Sequence, residues 1–199
     1  MSTLLLLIDL QVAFCDPDGS IARQGRNISA LARAASVCDA LAEEARAHGV
    51  PVAWTRHVLR PDYADGGGLI RMRPNLARIG ALRAGTPDVA LSALVRALPQ
   101  DLVIDKPRYS ALYATSLEAI LRSLGARRVL VGGVTTSMCV ETTVRDLAQR
   151  DHEVSVIAEA CSDFDAARHA ASLEAMAFGF APVINQESAA AILAEPAPP

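Results

Sequence analysis

A chain of 199 residues that is 51% apolar, with a formal net charge of −3, can bury roughly 70% of its unfolded surface in a single domain, 1–199, without disulfide or metal staples. Scattered arginines on an acidic chain exclude a nucleic-acid footprint. The run Leu4–Ile8 has no basic residue ahead of it and stops at Asp9, too short for a signal peptide or a membrane span. Cys15, Cys38, Cys139 and Cys161 are dispersed with no C-x-x-C spacing, so a cytoplasmic protein with no metal, no cofactor and no membrane or nucleic-acid partner is expected.

Leu4-Leu5-Leu6-Leu7-Ile8 is apolar without alternation, as a central parallel strand covered on both faces requires. Asp9 closes it. Turn residues follow at Cys15-Asp16-Pro17-Asp18-Gly19, and a helix is predicted from about Asn27 to His48, with Leu31, Ala35, Cys38, Leu41 and Ala45 on one face and Gly49 as its stop. Val50–Thr55 reads as the second strand. Residues 56–89 hold prolines, Gly66-Gly67-Gly68 and several arginines with little periodicity, which predicts a long irregular excursion of the functional kind. Leu102–Ile104 reads as the third strand, ended by Asp105-Lys106-Pro107, and Thr115–Leu124 as a helix. Strands at Val129–Val131, Val154–Ala158 and near Pro182–Ile184 alternate with helices over residues 139–150 and 166–178 and a short alanine-rich terminal helix. Pro196-Ala197-Pro198-Pro199 should fray. Six mainly parallel strands with helices on both faces define an α/β, three-layer, doubly wound fold, in which ligands bind beyond the carboxyl ends of the strands.

Asp9, Lys106 and Cys139 all fall at that edge. Cys139 follows Gly132-Gly133 and precedes Val140, Val144 and Leu147, so it is placed near a helix start, where unpaired N–H groups and the helix dipole favour a thiolate. Lys106 would add to this by charge, and Asp9 could take and return a proton. Read singly, each residue has a plainer role: a packed inert thiol, an N-cap carboxylate, a solvated lysine. Their shared edge is what argues for chemistry.

Three blocks, Ile8-Asp9-Leu10-Gln11-x-x-Phe14, Lys106-Pro107-Arg108-Tyr109-Ser110, and Gly133-Val134-Thr135-Thr136-Ser137-Met138-Cys139-Val140-Glu141-Thr142-Thr143, resemble in order and spacing the motifs of the isochorismatase-like cysteine hydrolases. The wording of the second and third blocks is similar to members that cleave ureido and carbamoyl compounds or other small amides, such as ureidoacrylate and biuret hydrolases and N-carbamoylsarcosine amidase. The resemblance implies a catalytic triad of Asp9, Lys106 and Cys139. It also implies a cis peptide bond between Val134 and Thr135, an oxyanion hole from the N–H groups of Thr135 and Cys139, and a thioester acyl-enzyme. It implies a homo-oligomer, dimer or tetramer, acting on a small-molecule substrate. Gln11, Phe14, His57, Arg73, Arg108, Tyr109, Thr136 and Met138, within the blocks or the excursion, are the candidate substrate-binding residues. Nicotinamidases of this family hold a metal through an Asp-x-His pair, where this chain has Thr55-Arg56-His57; the missing carboxylate argues against both a metal and that activity.

Other chemistries fit less well. Vinyl-ether hydrolysis of isochorismate does not use a cysteine nucleophile, an aspartyl phosphatase would have Asp-x-Asp where this chain has Asp9-Leu10-Gln11, and Leu10–Phe14 lacks the glycines of a dinucleotide-binding turn. A catalytically silent binding protein on the same fold is the remaining alternative.

Overall fold

A computed structural model describes residues 2–195; the predicted frayed segment Pro196–Pro199 lies outside the described residues. Six strands, β1 (Ser2–Ile8), β2 (Val52–His57), β3 (Leu102–Lys106), β4 (Ala126–Val134), β5 (Glu153–Ser162) and β6 (Val183–Ile184), form one sheet in the order β3-β2-β1-β4-β5-β6. Every pairing is parallel. Among the described residues the α-helices are α1 (Val12–Cys15), α2 (Ser29–Ala47), α3 (Gly67–Met72), α4 (Asn75–Arg78), α5 (Leu117–Ser123), α6 (Glu141–Ala148), α7 (Ala166–Gly179) and α8 (Gln186–Leu193).

The continuous apolar run of β1 is explained by burial on both faces, since parallel strands need crossover helices that cover the sheet twice. Leu5 and Leu7 pack with Trp54, Leu130 and the Leu31–Cys38–Leu41 stripe of α2. Leu4, Leu6 and Ile8, which point the other way, pack with Leu117, Val144, Leu147 and Met176 from α5, α6 and α7. The chain winds outward through β2 and β3 in one direction, then returns to lay β4, β5 and β6 on the other side of β1. The reversal opens a crevice beyond the carboxyl ends of β1 and β4.

Several boundaries differ from the sequence expectations. β2 runs on to His57 and β3 to Lys106 because the two strands pair in register, Arg56 opposite Asp105 and His57 opposite Lys106. The Arg56 guanidinium donates to both Asp105 oxygens at 2.6 and 2.9 Å, so opposite charges across the ladder let the strands continue past their apolar stretch. The turn expected after Asp9 begins with the short helix α1. The excursion carries α3 and α4 as well as irregular chain, and is held by Asp88. That buried carboxylate accepts from the Ser20 N–H and hydroxyl, both at 2.8 Å, and from the Leu82 N–H at 2.7 Å. Cys139 is not on α6 itself: Thr136–Val140 forms a π-helical turn ahead of it. Among the described residues, no helix is long and apolar enough to cross a membrane.

At the crevice β1 and β4 approach closely. Gly133, with φ of +126°, has no room for a side chain, because a Cβ there would lie 2.2 Å from the Ile8 carbonyl oxygen. Only glycine permits this backbone conformation at this separation.

Candidate active site

Asp9 leaves β1 with φ of +56°, a left-handed conformation that Asp and Asn adopt more readily than other side-chain-bearing residues. This turn aims its carboxylate back across the sheet edge. Its N–H donates to the Thr55 carbonyl at 3.1 Å; the Thr55 hydroxyl donates to Oδ1 at 2.8 Å, and Lys106 Nζ lies 2.7 Å from Oδ2. Lys106 Nζ also donates to the Arg108 carbonyl at 3.0 Å. Asp9 and Lys106 are 0% and 1% exposed. Two charges so thoroughly removed from water persist only when each is met by an opposite charge and further hydrogen bonds, and here both conditions hold.

Cys139 completes the cluster: one donor atom each from Asp9, His57 and Cys139 lie within 4.8 Å of one another. Burial pushes the Cys139 thiol above its ordinary pKa, and the Asp9 carboxylate adds to this, while Lys106 opposes it only in part. The expectation of a stabilised thiolate is thereby corrected. Near the helix mouth, desolvation outweighs the favourable charge of the lysine, so the resting group is a thiol beside a carboxylate. Burial pulls the Lys106 ammonium down, but the Asp9 carboxylate beside it pulls the other way, and the net direction is above the ordinary lysine value, so the lysine stays charged. His57 is held neutral: burial, aided by the Lys106 charge, lowers it to about 3. Its Nε2 is buried without a hydrogen-bond partner among the described residues.

Carboxylate, imidazole and thiol are donors that a thiophilic cation accepts. In this chain, however, the carboxylate is already paired with the Lys106 ammonium at 2.7 Å.

Of the predicted substrate-binding residues, Phe14, His57, Arg73, Tyr109 and Met138 line the cavity in front of Cys139, together with Thr135. Three do not. Gln11 uses its amide to hold β2, accepting from the His57 N–H at 2.7 Å and donating to the His57 and Val89 carbonyls. Arg108 donates to the Asp65 and Pro107 carbonyls and lies over the Tyr113 ring. The buried Thr136 hydroxyl is paired with His169 Nδ1 at 2.8 Å. In each case backbone or neighbouring groups claim the polar atoms that were expected to face substrate.

The sequence reading missed Ile21, Leu69, Leu82 and Phe164, which supply most of the remaining apolar wall, and Thr55, which orients Asp9. The wall residues sit in loops and short helices without periodicity, so nothing local marks them. Thr55 was readable in principle, because it pairs with Ile8 one residue before Asp9. The peptide bond between Val134 and Thr135 is cis.

The doubly wound parallel sheet has counterparts among known proteins. Residues 3–188 match the isochorismatase domain, and the chain belongs to the isochorismatase family of hydrolases. It is 33% identical over 172 residues to the ureidoacrylate amidohydrolase RutB of Methylorubrum extorquens, covering 80% of this chain and 69% of that one. Among solved structures it resembles a cysteine hydrolase from Pseudomonas syringae pv. phaseolicola, with a TM-score of 0.88 and 28% identity over 96% of this chain and 92% of that chain. N-carbamoylsarcosine amidase from Thermoplasma acidophilum shares the fold, with a TM-score of 0.78 and 21% identity over 94% of this chain and 98% of that one.

Proposed function

We propose that the protein is a cysteine-dependent amidohydrolase that cleaves the C–N bond of a small amide, ureido or carbamoyl compound through a thioester acyl-enzyme. The observation that carries this reading is the Cys139 thiol buried beside the Asp9–Lys106 pair, 2.7 Å apart, at the floor of an apolar cavity. The likeness to a ureidoacrylate amidohydrolase over 80% of the chain supports the same chemistry.

In the proposed cycle, Cys139 sulfur attacks the carbonyl carbon as its proton passes to Asp9. The raised thiol pKa makes that transfer part of the attack rather than a prior equilibrium. The C–N bond then breaks, Asp9 returns the proton to the leaving nitrogen, and ammonia or an amine departs. Water attacks the thioester, giving a proton to Asp9. The C–S bond breaks, and the thiol is restored from Asp9. Lys106 stays charged throughout and offsets the negative charge that moves between sulfur, carboxylate and carbonyl oxygen. The backbone N–H groups of Thr135 and Cys139 serve as the oxyanion hole, a contribution of about 3 kcal/mol per donor. Phe14, Tyr109 and Met138 exclude water, and the neutral His57 offers an unpaired nitrogen to the substrate's polar end.

The test is ammonia release from a panel of amides, ureido acids and carbamoyl amino acids, with isochorismate included. Wild type should turn over at least one C–N substrate, and Cys139→Ala should lose at least about 10³-fold in rate. Turnover of isochorismate alone, undiminished in Cys139→Ala, would replace this reading with vinyl-ether hydrolysis; no turnover of anything would favour a silent binding protein.

A further inference from the structure

The cavity in front of Cys139 does not end at its apolar walls. Ile21, Arg73, Leu76 and Phe164 also border a second depression of about 390 Å³, which is lined by Arg26 and Arg78 as well. Three arginines therefore line one space, and no Asp or Glu lines it. None of the three forms an ion pair among the described residues. On a chain of net charge −3, three unneutralised cations around a concavity repel one another unless an anion joins them. The Arg26 guanidinium lies 5.5 Å from the centre of the Phe164 ring. A cation is thus held at the wall shared by the two spaces.

We propose that this depression is an anion subsite of the catalytic cavity. On the amidohydrolase reading, from which this inference starts, the substrate carries its amide or ureido group at one end and an anionic group at the other. An apolar spacer fills the wall region between them. Guanidinium forks suit either a carboxylate or a phosphate, and the shared requirement is negative charge remote from the scissile carbonyl.

The experiment separates this from the catalytic proposal by measuring binding without turnover. Calorimetric titration of Cys139→Ala with 6-ureidohexanoate, 5-ureidopentyl phosphate and neutral hexylurea should show one or both acids binding at least about tenfold more tightly than the neutral compound. That preference should weaken with added salt. Combining Arg26→Gln and Arg78→Gln, which line the depression but not the cavity in front of Cys139, should remove most of the preference while leaving hexylurea binding unchanged, and Arg33→Gln, on an exposed helix position elsewhere, should leave it intact. These arginines are exposed, so folding is not at stake. Equal binding of acids and hexylurea, or an acid preference that survives the double substitution, overturns the subsite. Acid-selective binding to Cys139→Ala with no hydrolysis of any ureido compound by wild type would leave the subsite standing and remove the proposed reaction.

Discussion

At the residue scale, the site rests on one carboxylate with three obligations. Asp9 turns the chain at φ of +56°, neutralises a lysine that is 1% exposed, and stands as the proposed proton carrier for Cys139. Asn tolerates the same backbone conformation and nearly the same volume, so Asp9→Asn separates charge from shape. Its removal leaves the Lys106 ammonium buried without its counter-charge, and urea unfolding should report a loss of about 3 to 5 kcal/mol. In protein that remains folded at low temperature, hydrolysis should fall by at least about 10²-fold. A folded variant with undiminished rate would take Asp9 out of the proton path. Asp9, Lys106 and Cys139 were legible in the sequence because each ends or follows an apolar run, and such ends fall on one edge of a parallel sheet. The ionisation of Cys139 was not legible, because it depends on how completely the surrounding fold removes the thiol from water.

At the element scale, the cavity is made by joining a regular sheet to an irregular excursion. The strands carry Asp9, His57 and Lys106 at their carboxyl ends; residues between β2 and β3 carry Leu69, Arg73 and Leu82. The join is Asp88, which holds Ser20 next to Ile21 and Leu82 through three hydrogen bonds of 2.7 to 2.8 Å. Replacing it with Ala leaves two buried N–H groups and a hydroxyl unmatched. Asp88→Ala should therefore cost about 2 to 4 kcal/mol in chemical denaturation. Because Ile21 and Leu82 line the cavity and Cys139 is positioned by β4 and its following turn, KM should rise several-fold while kcat changes less. A fall in kcat with KM unchanged would contradict that division of labour. The strands were readable as apolar runs, whereas the excursion was readable only as a long aperiodic segment, since its order comes from contacts with residues distant in sequence.

For the whole molecule, the buried neutral His57 links the site to pH-dependent stability. The unfolded chain protonates this histidine near pH 6.5, while the folded chain resists protonation down to about pH 3. Between these values the unfolded state binds more protons. Stability therefore falls with decreasing pH, by roughly 1.4 kcal/mol per unit once well below 6.5, or about 2 kcal/mol by pH 5. His57→Gln removes this part of the acid sensitivity. Comparing urea unfolding of the two proteins at pH 7 and pH 5 should show a smaller drop for the variant. Equal drops would mean that other groups carry the acid response.

The order of apolar runs, glycine turns and chemically active end residues determined the parallel α/β architecture and the Asp9–Lys106–Cys139 set, since hydrophobic periodicity and strand ends are local properties of the chain. Tertiary structure alone decided which polar side chains face the cavity. Gln11, Arg108 and Thr136 turn to partners in the fold, while Arg26, Arg73 and Arg78 line one depression. The physical reason is that a hydrogen bond or a desolvated charge depends on distances between residues far apart in sequence, and only the packed sheet and its excursion set those distances.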